Sequence, residues 1–276
     1  MKVSVIIAVY NEEKLIGKCL DSLSEQTYSD FEIIVVDDGS TDKTLQIVSK
    51  LQITNYKLQI LRQNHKGVGA ARNLGAAKAT GEILVFVDAD MTFDPDFIAK
   101  LVKPILAGKS KGTFSKEEYL ANKNNFLAVA WNINRDLPVD QMHPKNYPEK
   151  QAVFRAISKS EFDRVGGFNV KKGYTDDWSL SEKLGYLAEN APDAIFYHYN
   201  PDNLQDIFIQ SRWMGKREYK NWLLAMLRVS LPVSLIVGLF KSVQFSLPSF
   251  FIFKIISDFG VFIGISEKIL GGRVAR

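Results

Sequence analysis

Asp88-Ala89-Asp90 sets two carboxylates one residue apart, directly after the apolar run Ile83-Leu84-Val85-Phe86-Val87. That run reads as a strand buried on both faces. At the carboxyl end of a parallel strand, side chains project into the crevice where open α/β sheets bind ligands. Two hard oxygen donors there suit Mg²⁺ or Mn²⁺, ions usually held by one or two carboxylates together with substrate phosphates. A second acidic pair, Asp176-Asp177, stands before Trp178. An aspartate with a pKa of about 4 is ionised at neutral pH, and alignment with a hydroxyl makes it a general base. The same pair also suits the start of the following helix, whose dipole favours acids.

The elements that position these residues follow from periodicity. Residues 3–9 form a β-branched strand ending at Tyr10-Asn11-Glu12. Leu15, Ile16, Cys19, Leu20 and Leu23 then make one helical stripe. Phe31 to Val36 is a second strand, stopping at Asp37-Asp38-Gly39-Ser40-Thr41-Asp42, where Ser40, Thr41 or Asp42 can cap a helix running to about Leu51. Lys57–Leu61 is a short third strand, and Gly67-Val68-Gly69-Ala70-Ala71-Arg72-Asn73 opens an alanine-rich helix before the strand at 83–87. Strand and helix alternating through short connections mean parallel strands with crossover helices, an α/β nucleotide-binding half over residues 1–100.

The second half is less regular. A helix is expected over 116–135, a long loop over 134–150, a strand over 151–157 and a short helix over 159–165. Gly166-Gly167-Phe168 is a turn, a helix is expected over 179–189, and a strand over 194–198 ends at His198.

Several classes are excluded. The turn after the first strand has no glycine, and Gly67-x-Gly69 has Arg72 where a third glycine would stand, so the dinucleotide fingerprint is missing. One cysteine, Cys19, permits neither an internal disulfide framework nor a cysteine zinc site. No signal-peptide pattern precedes the first strand. The net charge of +4 lies in the tail: residues 221–276 carry six basic side chains and two acidic ones, and the preceding chain is neutral. A neutral body with a basic, apolar tail points to a membrane surface rather than nucleic acid.

Six pieces in order resemble the family 2 glycosyltransferases of the GT-A fold: Val9-Tyr10-Asn11-Glu12, Val36 to Asp42, Gly69-Ala70-Ala71-Arg72-Asn73, Asp88-Ala89-Asp90, Phe162 to Phe168, and Thr175-Asp176-Asp177-Trp178. The resemblance spans about residues 2–220. It implies an inverting transfer from a nucleoside-diphosphate sugar (UDP- or GDP-linked), with a Mn²⁺ or Mg²⁺ cofactor. In that pattern Val9, Tyr10, Asn11 and Glu12 line the nucleobase pocket, with Tyr10 against the base and Asp38 accepting a hydrogen bond from it. Asp90 ligates the metal, and Asp88 contacts the ribose or the metal's water shell. Arg72 reaches a phosphate or braces Asp88, with a plain salt bridge as the other reading. Asp177 takes the place of the catalytic base. Asp176 and Trp178 lie on the acceptor side, Asp176 replacing the usual glutamate and Ser179 an acid many members carry. His198 is a candidate third metal ligand or phosphate contact, with a structural role as the alternative. Gln210-Ser211-Arg212-Trp213 is one residue shorter than the Q-x-x-R-W signature of processive synthases, so Arg212 is placed near the acceptor without implying processivity.

The expected organisation is a GT-A domain over 1–220 (nucleotide-sugar half 1–100, acceptor half 101–220) and a membrane-associated helical tail over 221–276. Residues 221–240 and 245–266 are each long enough to span a bilayer, but charges or proline interrupt both. A spanning hairpin, helices lying on the membrane, and a pair packed on the body are all open. A membrane-associated enzyme with a cytoplasmic catalytic domain accords with a polyprenyl-phosphate or lipid-linked glycan acceptor. A sugar-nucleotidyltransferase and a catalytically silent nucleotide-sugar-binding scaffold are the alternatives. The former usually carries a glycine-rich basic loop after the first strand, and the latter need not keep Asp38, Asp88, Asp90 and Asp177.

Overall fold

The computed structural model describes residues 1–51 and 57–271, and of residues 173–176 only the backbone. The described elements run β1 (Val3–Val9), α1 (Ile16–Ser24), β2 (Phe31–Asp37), α2 (Thr44–Lys50), β3 (Lys57–Arg62), α3 (Val68–Lys78), β4 (Ile83–Asp88) and β5 (Met91–Phe93). Next come α4 (Phe97–Leu106), β6 (Gly112–Phe114), β7 (Glu118–Leu120), α5 (Phe126–Asn134), β8 (Lys150–Gln151), β9 (Ala156–Ser158) and α6 (Lys159–Arg164). A 3₁₀ segment, Val170–Trp178, leads to α7 (Ser179–Leu184), β10 (Ala188–Asn190) and β11 (Phe196–His198). Four helices close the described chain: α8 (Leu204–Gly215), α9 (Trp222–Arg228), α10 (Leu231–Gln244) and α11 (Phe250–Ile269).

The main sheet has the order β3-β2-β1-β4-β9-β6-β10-β8. Its first four strands are parallel, and β9 enters antiparallel between β4 and β6. Alternation along β1 sends Val3, Val5, Ile7 and Val9 into a core with Ile16, Cys19, Leu20 and Leu23 of α1. Ile6 faces the opposite core, which α3 covers with Ala71 and Ala76. α3 comes close because position 75 is glycine: a Cβ there would lie 2.6 Å from Ile6 Cγ2. Burial on both faces explains why these strands read as continuous apolar runs. A small sheet, β5-β11-β7, stands beside the carboxyl end of β4.

Packing divides the chain into Met1–Tyr119 with Asn146–His198, and Leu120–Lys145 with Tyr199–Arg276. This differs from the expected boundary at 220. α8 belongs with the terminal helices because it packs on α11 through small residues: a Cβ on Gly215 would meet Gly264 Cα at 3.0 Å. The second unit also holds α5, whose Leu127, Ala130 and Trp131 share a core with Ile207, Phe250 and Phe253.

Three local expectations are corrected. The helix expected over 116–135 starts only at Phe126, where Asn125 Oδ1 accepts the Leu127 and Ala128 N–H groups; the residues before it include β7. The strand expected over 151–157 is split into β8 and β9. The helix expected over 179–189 stops at Leu184, because Gly185 adopts φ 78°, a left-handed cap, and β10 follows.

Candidate active site

The whole candidate site belongs to the first unit, at the carboxyl ends of β1, β2 and β4. The loops after β1 and β2 are stitched together. Asn11, at φ 56°, donates its N–H to Ser40 Oγ at 3.0 Å, and its Oδ1 accepts from Thr41 N at 2.8 Å. Val9 O accepts from Asp38 N at 2.8 Å, and Glu12 N donates to Thr44 Oγ1 at 2.8 Å. Tyr10 stacks on His65, with centroids 4.1 Å apart and planes inclined by 26°.

Asp38 anchors the loop that carries His65. Its Oδ1 accepts from Gln63 Nε2 at 2.6 Å and Lys66 N at 2.8 Å. Its Oδ2 accepts from Gly67 N at 2.8 Å and lies 2.9 Å from His65 Nδ1. The residue expected to meet a nucleobase is thus already the hub of a loop, with donors on both oxygens. Gly67 fits there because its φ of 95° disfavours any side chain.

Arg72, in the first turns of α3 and buried to 4% exposure, joins two of the predicted carboxylates. Its Nη2 donates to Asp88 Oδ1 at 2.6 Å and its Nη1 donates to Asp177 Oδ1. Arg155, just before β9, donates to Asp88 Oδ2 at 3.1 Å. Antiparallel pairing of β9 with β4, Val85 opposite Ala156, brings Arg155 to this end of the strand. Burial alone would raise the Asp88 pKa, but the guanidinium groups of Arg72 and Arg155 outweigh it and hold the carboxyl well below the usual range. The neighbouring Asn73 fixes the Gly166-Gly167-Phe168 turn: its Nδ2 donates to Phe168 O and its Oδ1 accepts from Phe168 N, both at 2.9 Å.

Asp90 has different company. Its Oδ2 lies 3.3 Å from His198 Nε2, and His198 Nδ1 lies 2.8 Å from Glu118 Oε1. The register of β11 on β5, His198 opposite Met91, creates this line. Burial lowers the imidazole's proton affinity, but Asp90 and Glu118 outweigh it and push the His198 pKa up to about 10. The imidazolium form of His198 donates to both carboxylates, and ligation of a metal by its Nε2 requires loss of that proton.

Among the described residues no group of three His, Cys, Asp or Glu side chains is placed to hold a metal by itself. Asp90 Oδ1, however, is buried without a hydrogen-bond partner. A buried carboxylate oxygen left over in this way suits a hard divalent ion that takes its remaining ligands from water and phosphate. Of the three expected metal residues, Asp90 presents such an oxygen, Asp88 is held by two arginines, and His198 backs Asp90.

Trp178 is 52% exposed beside Asp177, and the Asp176 side chain lies outside the described residues. Arg212 belongs to the second unit, where its Nε donates to Glu267 Oε1 at 2.9 Å. Sequence reasoning did not single out His65, Glu118, Asn73 or Arg155 as site residues. Asn73 lay inside a motif that was noticed, but nothing local marked the other three.

Residues 4–166 match the model of glycosyl transferase family 2. Glycosyltransferase GlyG of Streptococcus pneumoniae serotype 4 is 35% identical over 209 residues, 68% of each chain. Glycosyltransferase GlyA of the same organism is 39% identical over 105 residues, 38% of this chain and 15% of that one. Putative glycosyltransferase EpsH of Bacillus subtilis is matched over 29% of its length, so the chain spans under a third of these last two relatives. Among solved structures, the mannosyltransferase PcManGT from Pyrobaculum calidifontis, in complex with GDP-Man and Mn²⁺, superposes with a TM-score of 0.63 at 22% identity. That alignment covers 99% of this chain and 88% of PcManGT. S. aureus TarS 1–349 in complex with UDP-GlcNAc gives 0.59 at 19% identity, covering 99% of this chain and 93% of that one. With its six motifs on a mixed sheet of this topology, the chain belongs to glycosyltransferase family 2 and has the GT-A fold.

Proposed function

We propose that the protein is a metal-dependent inverting glycosyltransferase that moves a sugar from a UDP- or GDP-sugar to an acceptor hydroxyl or phosphate. The observation that carries this is the single guanidinium of Arg72 holding Asp88 and Asp177 together, the donor-side and acceptor-side acids of one reaction.

Asp177 accepts the acceptor's proton as the acceptor oxygen bonds to the anomeric carbon. The bond from that carbon to the diphosphate oxygen breaks, and the nucleoside diphosphate leaves with the electron pair. Arg72 engages Asp177 Oδ1 and orients the carboxylate so that Oδ2 takes the proton. The nucleobase packs against the Tyr10–His65 stack, and Asp38 holds the loop on which His65 stands. Asp90, with Asp88 beside it, would hold a divalent ion, whose Lewis acidity neutralises charge on the departing diphosphate. Such an ion and a GDP- or UDP-sugar accord with the ligands of PcManGT and TarS. A lipid-carried acceptor, a polyprenyl phosphate or lipid-linked glycan, accords with the apolar surface of the C-terminal helices.

The test is a thermal-shift panel of UDP, GDP, CDP and dTDP with and without Mn²⁺, on the protein and an Asp90→Asn variant, alongside release of nucleoside diphosphate from the matching sugar. Ligand bound only by the folded state raises its stability. One nucleotide that stabilises only with metal, loses this in the variant and is released on turnover supports the proposal. Folded protein that binds a nucleotide sugar and releases no diphosphate with any acceptor would be a silent scaffold instead.

A further inference from the structure

α10 wears its amphipathic pattern reversed. Ser234, Gly238 and Ser242 are its buried residues, while Leu235, Ile236, Leu239, Phe240 and Val243 are exposed. At 3.6 residues per turn these five fill an arc of about 140°. The helix's one charge faces inward: Lys241 donates to Ile133 O at 2.7 Å and Asp136 Oδ1 at 2.6 Å. α9 buries none of its residues and exposes Trp222, Leu223 and Leu227.

Beside the apolar core that α5 shares with Ile207, Phe250 and Phe253, the contacts of α11 with α8 and α10 include small and polar groups. Lys254 donates to Asp258 Oδ1 at 2.9 Å, Ser234 donates to Asp258 Oδ2 at 2.6 Å, and Ser211 meets Ser257 at 3.0 Å. A Cβ on Gly260 of α11 would lie 2.7 Å from Phe208 O of α8. A helix packed for water turns its large apolar residues inward. Small residues and polar pairs between helices, with large apolar residues outward, is how helices associate where the surroundings are as apolar as leucine.

We infer that α9 and α10 are the seat of this protein on a lipid bilayer, lying in the plane of the membrane interface. Among the described residues no single helix is long and apolar enough to cross, and α9 with α10 passes that test only as a pair bent by 50°. α10 alone has 14 residues, about 21 Å against a hydrocarbon core of about 30 Å. Exposed Arg217, Lys220 and Arg228 flank the apolar strip, with Glu218 the one acid among them, so the surface favoured is anionic. The catalytic unit then works at the cytoplasmic face, where soluble nucleotide sugars are. The seat itself does not depend on which donor or acceptor is used.

Flotation of the full chain with phosphatidylcholine vesicles, with and without phosphatidylglycerol, tests the seat. The chain should float, more strongly with the anionic lipid. An Ile236→Glu, Phe240→Glu double variant should lose at least about tenfold in vesicle affinity, since two charges enter the interface. Both positions are exposed, so its melting temperature and nucleotide binding should match the parent's. Arg217→Glu with Arg228→Glu should abolish only the preference for anionic vesicles. A chain that never floats, or a double variant that floats like the parent, overturns the inference. So does a dimer seen by light scattering without lipid that the double variant dissolves, since the face would then cover a second copy. Vesicle binding needs no turnover, so failure of the donor assay would leave this result standing.

Discussion

Arg72 and Asp177 are hydrogen-bonded across the site, and the other terminal nitrogen of the same guanidinium holds Asp88 at 2.6 Å. One planar fork thus sets the distance between the acid that ends β4 and the acid that precedes α7. Arg72, read from the sequence as reaching a phosphate or bracing Asp88, lies between the two acids.

Replacing Arg72 by lysine keeps one positive charge but loses the fork, and a point charge cannot orient two carboxylates at once. Turnover by Arg72→Lys is expected to fall by about 100-fold, the scale of a small misplacement of reacting groups. The donor KM should change less. Steady-state kinetics with varied donor separates the two; an unchanged turnover number removes the orienting role.

Asp177→Asn removes the proposed proton acceptor while keeping size and a hydrogen-bonding oxygen for Arg72. Transfer should drop by about 10²–10⁴, the usual contribution of a positioned base. Donor affinity, read by thermal shift or calorimetry, should stay within about twofold of the parent. A variant that transfers sugar normally would assign the base elsewhere.

Arg155→Met keeps an unbranched side chain but deletes the guanidinium, which lies 5.5 Å over the Phe196 ring and is one of the two cations on Asp88. Loss of a charged hydrogen bond of this kind costs about 1.5–3 kcal/mol. The expected outcome is weaker donor binding by about tenfold or more, with a smaller change in protein stability. Paired with Arg72→Lys in a double-mutant cycle, the effects should be non-additive because both arginines share Asp88.

Glu32 offers a pH test away from the site. It is buried on β2, where Ser4 Oγ, Thr80 N and Thr80 Oγ1 each donate to Oε1 at 2.7 Å and Lys2 Nζ reaches Oε2 at 3.3 Å. Burial would raise its pKa, but the Thr80, Ser4 and Lys2 donors outweigh this and bring it from 4.5 down to about 2. A depressed folded-state pKa adds stability above the unfolded value and loses it as pH falls toward the folded one. At 1.36 kcal/mol per unit, Glu32 contributes at most about 3 kcal/mol at neutral pH. Urea unfolding of Glu32→Gln should show a deficit at pH 7 that shrinks below about pH 4.5. A deficit independent of pH would mean that shape, not charge, matters there.

The sequence by itself determined what is local. Apolar runs buried on both faces announced β1, β2 and β4 and the carboxylates at their ends, because alternation and burial are written in consecutive residues. Helical spacing announced the stripe of α1, and order alone linked six short motifs into a family. Only the tertiary structure decided which distant residues complete the site. Arg155 meets Asp88 because β9 pairs antiparallel with β4, and His198 meets Asp90 because β11 pairs with β5. Register between strands far apart in the chain leaves no mark on either strand. His65 became visible only when Asp38 was seen to hold its loop beneath Tyr10. The same limit applied to the C-terminal helices. Their apolar character was plain in composition, but which residues face inward depends on neighbours. In α10, packing on α11 turned serine and glycine in and leucine, isoleucine and phenylalanine out.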